Sequence, residues 1–212
     1  MTAPAGVALP LPMFPLGAVL FPHMVLPLHV FEPRYRALAR DCLRHGQEFG
    51  VVLIERGSEV GGGDSRFGVA TVAHITEATE FPDGRWALVC VGTRRVRVVT
   101  WLPDDPYPLA LVENLAEAPL DRPALEALAE ADRAVRRALA LSAELDQPAI
   151  PATVELDADP SVAAYQLAAI APLGPVDQQR VLEHDDPTAR LRLLTELAVD
   201  VATVLAYRLS AG

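Results

Sequence analysis

Residues 67–80 read FGVATVAHITEATE and residues 86–101 read WALVCVGTRRVRVVTW, joined by Phe81-Pro-Asp-Gly-Arg85. The first is rich in valine, threonine and isoleucine and the second in valine, with tryptophan at both ends, and these residues favour strands. Asp83-Gly84 between them is a strong hairpin signal, because glycine takes a positive φ at no steric cost. In the return segment Val96 and Val98 alternate with Arg95 and Arg97, so one face is apolar and the other polar. The spacing predicts a long antiparallel hairpin.

Working outward, Gly50-Val-Val-Leu-Ile54 is a continuous apolar run, expected as a strand covered on both faces. Residues 55–66, containing Gly61-Gly62-Gly63, read as a loop. Beyond the hairpin, residues 103–108 form a proline-rich turn, and Leu109-Ala-Leu-Val-Glu113 reads as a last strand. Upstream, Pro33 opens a helix, as its first-turn preference allows. Tyr35, Leu38, Ala39 and Cys42 form its apolar stripe, and Gly46 closes it. Residues 1–31 alternate short apolar runs with prolines. Proline removes a ladder donor, so these are expected as short strands at edges, kinks or barrel corners. Several short strands and one helix within residues 1–118 suggest a small, partly closed β-barrel.

The pattern changes near Pro119. Asp121 is placed to cap a helix running to Leu145, with Leu128, Val135 and Leu139 as its apolar stripe and Asp132 and Arg136 paired at i, i+4. Asp159-Pro160 starts a second helix, ended by Pro172-Leu-Gly-Pro175, and a short helix runs to His184. Asp186-Pro187 starts a long one with Leu194, Leu197, Val201 and Leu205 on one face. The fold class read from this pattern is α+β. Residues 1–118 form a β-barrel with one inserted helix, and residues 119–212 form an all-helical bundle.

Composition excludes several activities. The chain of 212 residues is 51% hydrophobic with net charge −10, and all 18 of its basic residues are arginine. A sequence without lysine cannot supply a phosphate-binding-loop lysine, a Schiff base or a Ser-Lys dyad. The acidic balance disfavours nucleic acid, which needs clustered positive charge. Residues 1–118 carry net charge −3 and residues 119–212 carry −7. No basic residue precedes the apolar start, and prolines interrupt it, so neither a signal peptide nor a membrane span is expected. A cytoplasmic protein is the expectation. Two cysteines are too few for a disulfide framework.

Leu11-Pro-Met-Phe-Pro-Leu-Gly-Ala-Val-Leu-Phe-Pro-His-Met-Val-Leu-Pro-Leu28 resembles the start of the amino-terminal, substrate-binding domain of the Lon protease family. The resemblance continues through Phe31-Glu-Pro-Arg-Tyr-Arg36, the apolar run at 50–54, Gly68-Val-Ala-Thr-Val-Ala-His-Ile75, and Val91-Gly-Thr-Arg-Arg-Val-Arg-Val98. It implies a PUA-like pseudobarrel followed by a helical bundle, and a role in holding protein or peptide substrates. It also implies a stand-alone member, since no phosphate-binding loop or catalytic lysine is present.

Each candidate for chemistry has a plainer reading. Gly61-Gly62-Gly63-Asp64 is a loop without the lysine and helix that phosphate cradling needs. Cys42 and Cys90 sit among apolar residues and read as inert core thiols. His23 and His29 have no evident third metal ligand. Asp104-Asp105 and Asp185-Asp186 each precede proline and suit turns and caps. No catalytic residue, metal or cofactor is assigned. The arginines 94, 95 and 97 either pair structurally, Arg95 with Glu32, or contact acidic or C-terminal groups of a peptide.

The leading expectation is a non-enzymatic binding module for unfolded or peptide clients, associated with a separate protease. Its candidate surface is Phe21, Pro22, His23, Met24, Phe31 and Tyr35, with Arg94 and Arg95, because methionine and aromatics bury area without demanding one shape. The alternatives are an RNA binder, which PUA-like barrels often are, and a small hydrolase using Cys42.

Overall fold

The structure is a computed structural model and describes residues 8–57, 65–145 and 150–211. The glycine loop at 61–64, with its phosphate reading, lies outside the described residues. The chain divides into two compact units, Met1–Ala116 and Glu117–Gly212.

The first unit contains β1 (Leu9–Leu16), β2 (Val25–Val30), α1 (Pro33–Arg44), β3 (Glu48–Arg56), β4 (Ser65–Glu80), β5 (Trp86–Leu102) and β6 (Leu109–Asn114). They form one six-stranded sheet of order β2-β5-β4-β3-β1-β6, and β5 also pairs with β6. That last pairing turns the sheet back on itself. β5 makes it possible through its length of 17 residues. Its residues from Trp86 to Val91 pair with β2, and those from Val96 to Leu102 pair with β6. The hairpin joining β4 to β5 closes at Glu80 and Trp86, with Gly84 at φ +79° as its turn glycine.

Of the two proline-bearing strands expected at edges, kinks or corners, β2 lies at the edge of the sheet, whereas β1 lies between β3 and β6. It survives there because each half has one partner: Leu9 to Pro12 pair antiparallel with β6, and Met13 to Leu16 pair parallel with β3. Met13 donates its N–H to the Pro108 carbonyl on the β6 side at 2.8 Å. Alternation then turns the nitrogens of Pro10 and Pro12 toward the β3 side before that pairing begins. Pro15 faces the β6 side after that pairing has ended. No ladder bond is lost at any of the three.

The run at 50–54 is covered on both faces. Phe49 and Val51 join one buried cluster with Phe14, Tyr35, Leu38 and Leu88, whereas Val52 joins a second with Leu11, Met13, Val72, Val96 and Val112. α1 buries the stripe Tyr35, Leu38, Ala39 and Cys42. The segment between β1 and β2 is locked to β5 at Gly92. Gly92 accepts from His23 N–H at 2.7 Å and donates to the Met24 carbonyl at 2.9 Å. His23 there has φ +67°.

The second unit contains α2 (Arg122–Glu144), α3 (Pro160–Ile170), α4 (Pro175–Glu183) and α5 (Pro187–Ala211). Asp121, Asp159 and Asp186 accept from the N–H groups of Ala124, Ser161 and Ala189 at 3.0, 2.8 and 2.7 Å, capping three of these helices. The buried stripe of α2 is mostly alanine: Ala124, Ala127, Ala131, Ala134 and Ala138, with Val135 and Leu139. Leu128, expected on that stripe, is only half-buried. Arg190 is buried on α5. It donates to the His184 carbonyl at 2.7 and 3.1 Å and to the Tyr165 hydroxyl, and its guanidinium lies over the Tyr165 ring.

Candidate functional site

No ladder joins β1 to β2 among the described residues, so the wall of the first unit is open between them. α1 begins two residues after β2 and brings Tyr35 to this opening. Phe14 stacks on Tyr35 with ring centroids 4.1 Å apart. The result is an apolar groove of about 140 Å³ with Phe14, Leu16, Leu28, Val30 and Tyr35 as walls and His29, Phe31 and Glu32 at its mouth. That is well below the ~300–1,000 Å³ of a small-molecule site. Phe31 is 54% exposed, and Val25, at the start of the same edge, is 64% exposed. At the mouth Glu32 Oε2 accepts from Arg34 Nε at 3.1 Å, and the Arg34 guanidinium lies 4.4 Å from the Tyr35 ring centroid.

β2 is the last strand in the sheet order, and its register fixes which main-chain groups it offers. Pro27 stands opposite Val89. The Val89 carbonyl accepts from Thr76 Oγ1 of β4 at 2.9 Å, so Val89 directs its polar groups toward β4. By alternation Leu26, Leu28 and Val30 bond to β5, while Val25, Pro27 and His29 direct theirs outward. Pro27 has no N–H to offer.

The sequence-predicted site residues separate. Phe31 and Tyr35 meet at the groove. Phe21 is 1% exposed and Pro22 is also buried, so neither offers surface. Phe21 is held inside because its carbonyl lies against Gly92. His23 is exposed on the locked turn, and Met24 is half-buried against the core. Arg94 is engaged by Glu48 in a two-pronged pair at 2.7 and 2.8 Å and by Asn114 at 2.9 Å. The Arg94 hydrogen bonds hold the Glu48 carboxyl below its usual range, against the opposing effect of its partial burial. Arg95 is fully buried opposite Thr71. The expected Glu32–Arg95 pair is replaced: Glu32 pairs with Arg34, two residues on at the helix start, with both side chains partly buried. Phe14, Leu16, Leu28 and Val30 were readable as strand residues but not as groove walls, since nothing local signals the missing β1–β2 ladder.

The other chemistries have little footing. Cys42 is buried, its Sγ donates to the Glu48 carbonyl at 3.3 Å, and burial pushes its pKa up to about 12. Burial does the same to Cys90. A thiol held in that form is a poor nucleophile. Asp104 pairs with Arg66, and Asp186 caps α5. No group of three or more His, Cys, Asp or Glu among the described residues is arranged to hold a metal. No helix among them is long and apolar enough to cross a membrane.

Residues 10–200 match the family model of the ATP-dependent protease La (LON) substrate-binding domain. The chain belongs to that family. It is 31% identical over 195 residues to Lon protease 2 of Herpetosiphon aurantiacus, covering 90% of this chain and 24% of that one. It is 32% identical over 191 residues to Lon protease of Anaeromyxobacter dehalogenans, covering 88% and 22%. The LON-family chain therefore spans about a quarter of the length of these relatives. Among solved structures, a Lon N-terminal domain protein from Xanthomonas campestris is 30% identical with TM-score 0.61, covering 88% of this chain and 96% of that one. The N-terminal domain of Mycobacterium avium complex Lon protease shares the fold at 20% identity and TM-score 0.67, covering 90% and 98%. The matched fold is mixed α+β.

Proposed function

We propose that this LON-family chain binds exposed apolar segments of protein clients in the groove between β1 and β2 and performs no chemical step on them. The observation that carries this is the combination of a small apolar groove with Phe31 standing exposed at its mouth. The family description, a substrate-binding domain, supports the same reading. Seating one bulky apolar side chain contributes roughly 1.5–3 kcal/mol before association costs, so one contact is weak and clients rich in such residues are favoured. A separate protease is the partner that fits a module of this kind, and the cytoplasm is its compartment. We place the binding activity in residues 1–118, read the self-closing sheet as a PUA-like pseudobarrel, and read α2–α5 within residues 119–212 as a helical bundle. The buried Cys42 thiol argues against the hydrolase reading, and the engagement of Arg94 by Glu48 argues against an RNA-binding face there.

Fluorescence anisotropy of dye-labelled, unfolded casein tests the proposal. Saturable binding without nucleotide is expected, weakened at least tenfold by Phe31→Asp with no loss of fold by circular dichroism. No binding, or binding indifferent to Phe31→Asp, overturns it.

A further inference from the structure

The groove adjoins an open strand edge, and the two together specify the shape of what binds. We infer that the client segment adds to β2 as an extended strand, placing a bulky apolar residue in the groove and a basic residue against Glu32. This rests on the apolar-segment reading above and specifies the substrate class of the same site.

Three observations converge on it. The main-chain groups of Val25 and His29 and the carbonyl of Pro27 point away from β5, at the two-residue spacing that only an extended chain can match. The groove is walled by Leu28 and Val30, the inward-facing residues of that same strand, together with Phe14 and Leu16 of β1. A strand laid along β2 therefore sends alternate side chains toward the groove. Glu32 sits at the mouth with Oε2 taken by Arg34. Its Oε1 has no protein donor among the described residues, which leaves an acceptor for an arginine or lysine. The chain's net charge of −10 favours the same sign of client. Pro27 removes the middle outward donor, so the edge offers two donors rather than a continuous template, a known defence against indiscriminate edge pairing.

The test uses the full chain and a dye-labelled octapeptide of alternating threonine and valine, with a central phenylalanine and an arginine two residues on. Two N-methylated versions block alternate amides, one version for each edge of the peptide. One version is expected to lose at least tenfold in affinity and the other to bind like the parent. His29→Pro, which deletes an outward donor, is expected to weaken binding at least tenfold, while His29→Ala, which keeps it, is not. Glu32→Gln is expected to weaken the arginine peptide and leave a glutamine-for-arginine peptide unchanged. Equal effects of the two methylated peptides, or equal effects of His29→Pro and His29→Ala, overturn strand addition. If unfolded casein still binds in a Phe31-dependent way, apolar recognition stands and only its geometry is wrong. If neither casein nor the octapeptide binds, both readings fail. A concentration-dependent dimer abolished by His29→Pro assigns the edge to a second copy of the chain and also overturns the inference.

Discussion

Gly92→Ala tests the lock that shapes the segment between β1 and β2. An added Cβ would lie 2.4 Å from the Phe21 carbonyl oxygen, 3.1 Å from the Phe21 carbonyl carbon and 3.2 Å from Thr71 Cγ2. The closest atoms are main chain and cannot swing aside. They are also held by the hydrogen bonds that link His23 and Met24 to Gly92 at 2.7 and 2.9 Å. Relief requires breaking at least one of those bonds, at about 1 kcal/mol, in addition to about 1–3 kcal/mol for forcing a methyl into a filled site. The expected loss is about 3 kcal/mol. With a urea dependence of about 2 kcal/mol per molar, the midpoint falls by about 1.5 M. Trp86 and Trp101 are the chain's two tryptophans and both lie on β5, so fluorescence follows the first unit alone. Gly68→Ala is the control: its Cβ meets nothing within 4 Å, and a change of no more than about 0.5 kcal/mol is expected. A Gly92→Ala midpoint equal to that of Gly68→Ala refutes the packing argument.

Three further outcomes are expected. The thiols of Cys42 and Cys90 are raised to about 12 by burial, so the unfolded chain releases these protons first as pH rises; stability falls above about pH 9, and native protein at pH 8 reacts with a thiol reagent only as fast as it unfolds. The Glu48 carboxyl is held low by its Arg94 hydrogen bonds, so its contribution is present above the unfolded carboxylate range and is lost as pH falls through the folded value; Glu48→Gln flattens the acid limb of the urea midpoint against pH. Arg190→Met leaves the His184 carbonyl and the Tyr165 hydroxyl without their buried donor and costs about 2–4 kcal/mol, read as an earlier melt of the helical signal at 222 nm.

Much of the architecture is legible in the chain because its signals are local. Asp83-Gly84 marks the hairpin, the Tyr35–Cys42 stripe marks α1, and Asp159-Pro160 and Asp186-Pro187 mark starts of helices. What stays hidden depends on pairing between distant segments. Prolines 10, 12 and 15 suggested an edge, kink or barrel corner because a proline cannot donate; the sequence does not reveal that β1 changes partner midway, leaving each proline nitrogen on an unpaired side. Phe21 looks no different from Phe31 in sequence, yet Gly92 draws one inside and the end of β2 leaves the other at the surface. Arg94 and Arg95 are adjacent, and strand alternation sends one to Glu48 and the other into the interior. Arg190 did carry a readable signal: it falls on the apolar face of α5 four residues before Leu194, where a charge requires a buried acceptor.

β5 has two partners along its length, and this ties the opening to a distant seam. The span that holds β2 ends at Val91 and the span that seals against β6 begins at Val96, with Gly92 to Arg95 and a register shift against β4 between them. A guest added beside β2, as proposed, would order one end of the strand whose other end forms that seam. Slower amide exchange between Val96 and Leu102 on client binding is the expected sign that this ordering passes along β5.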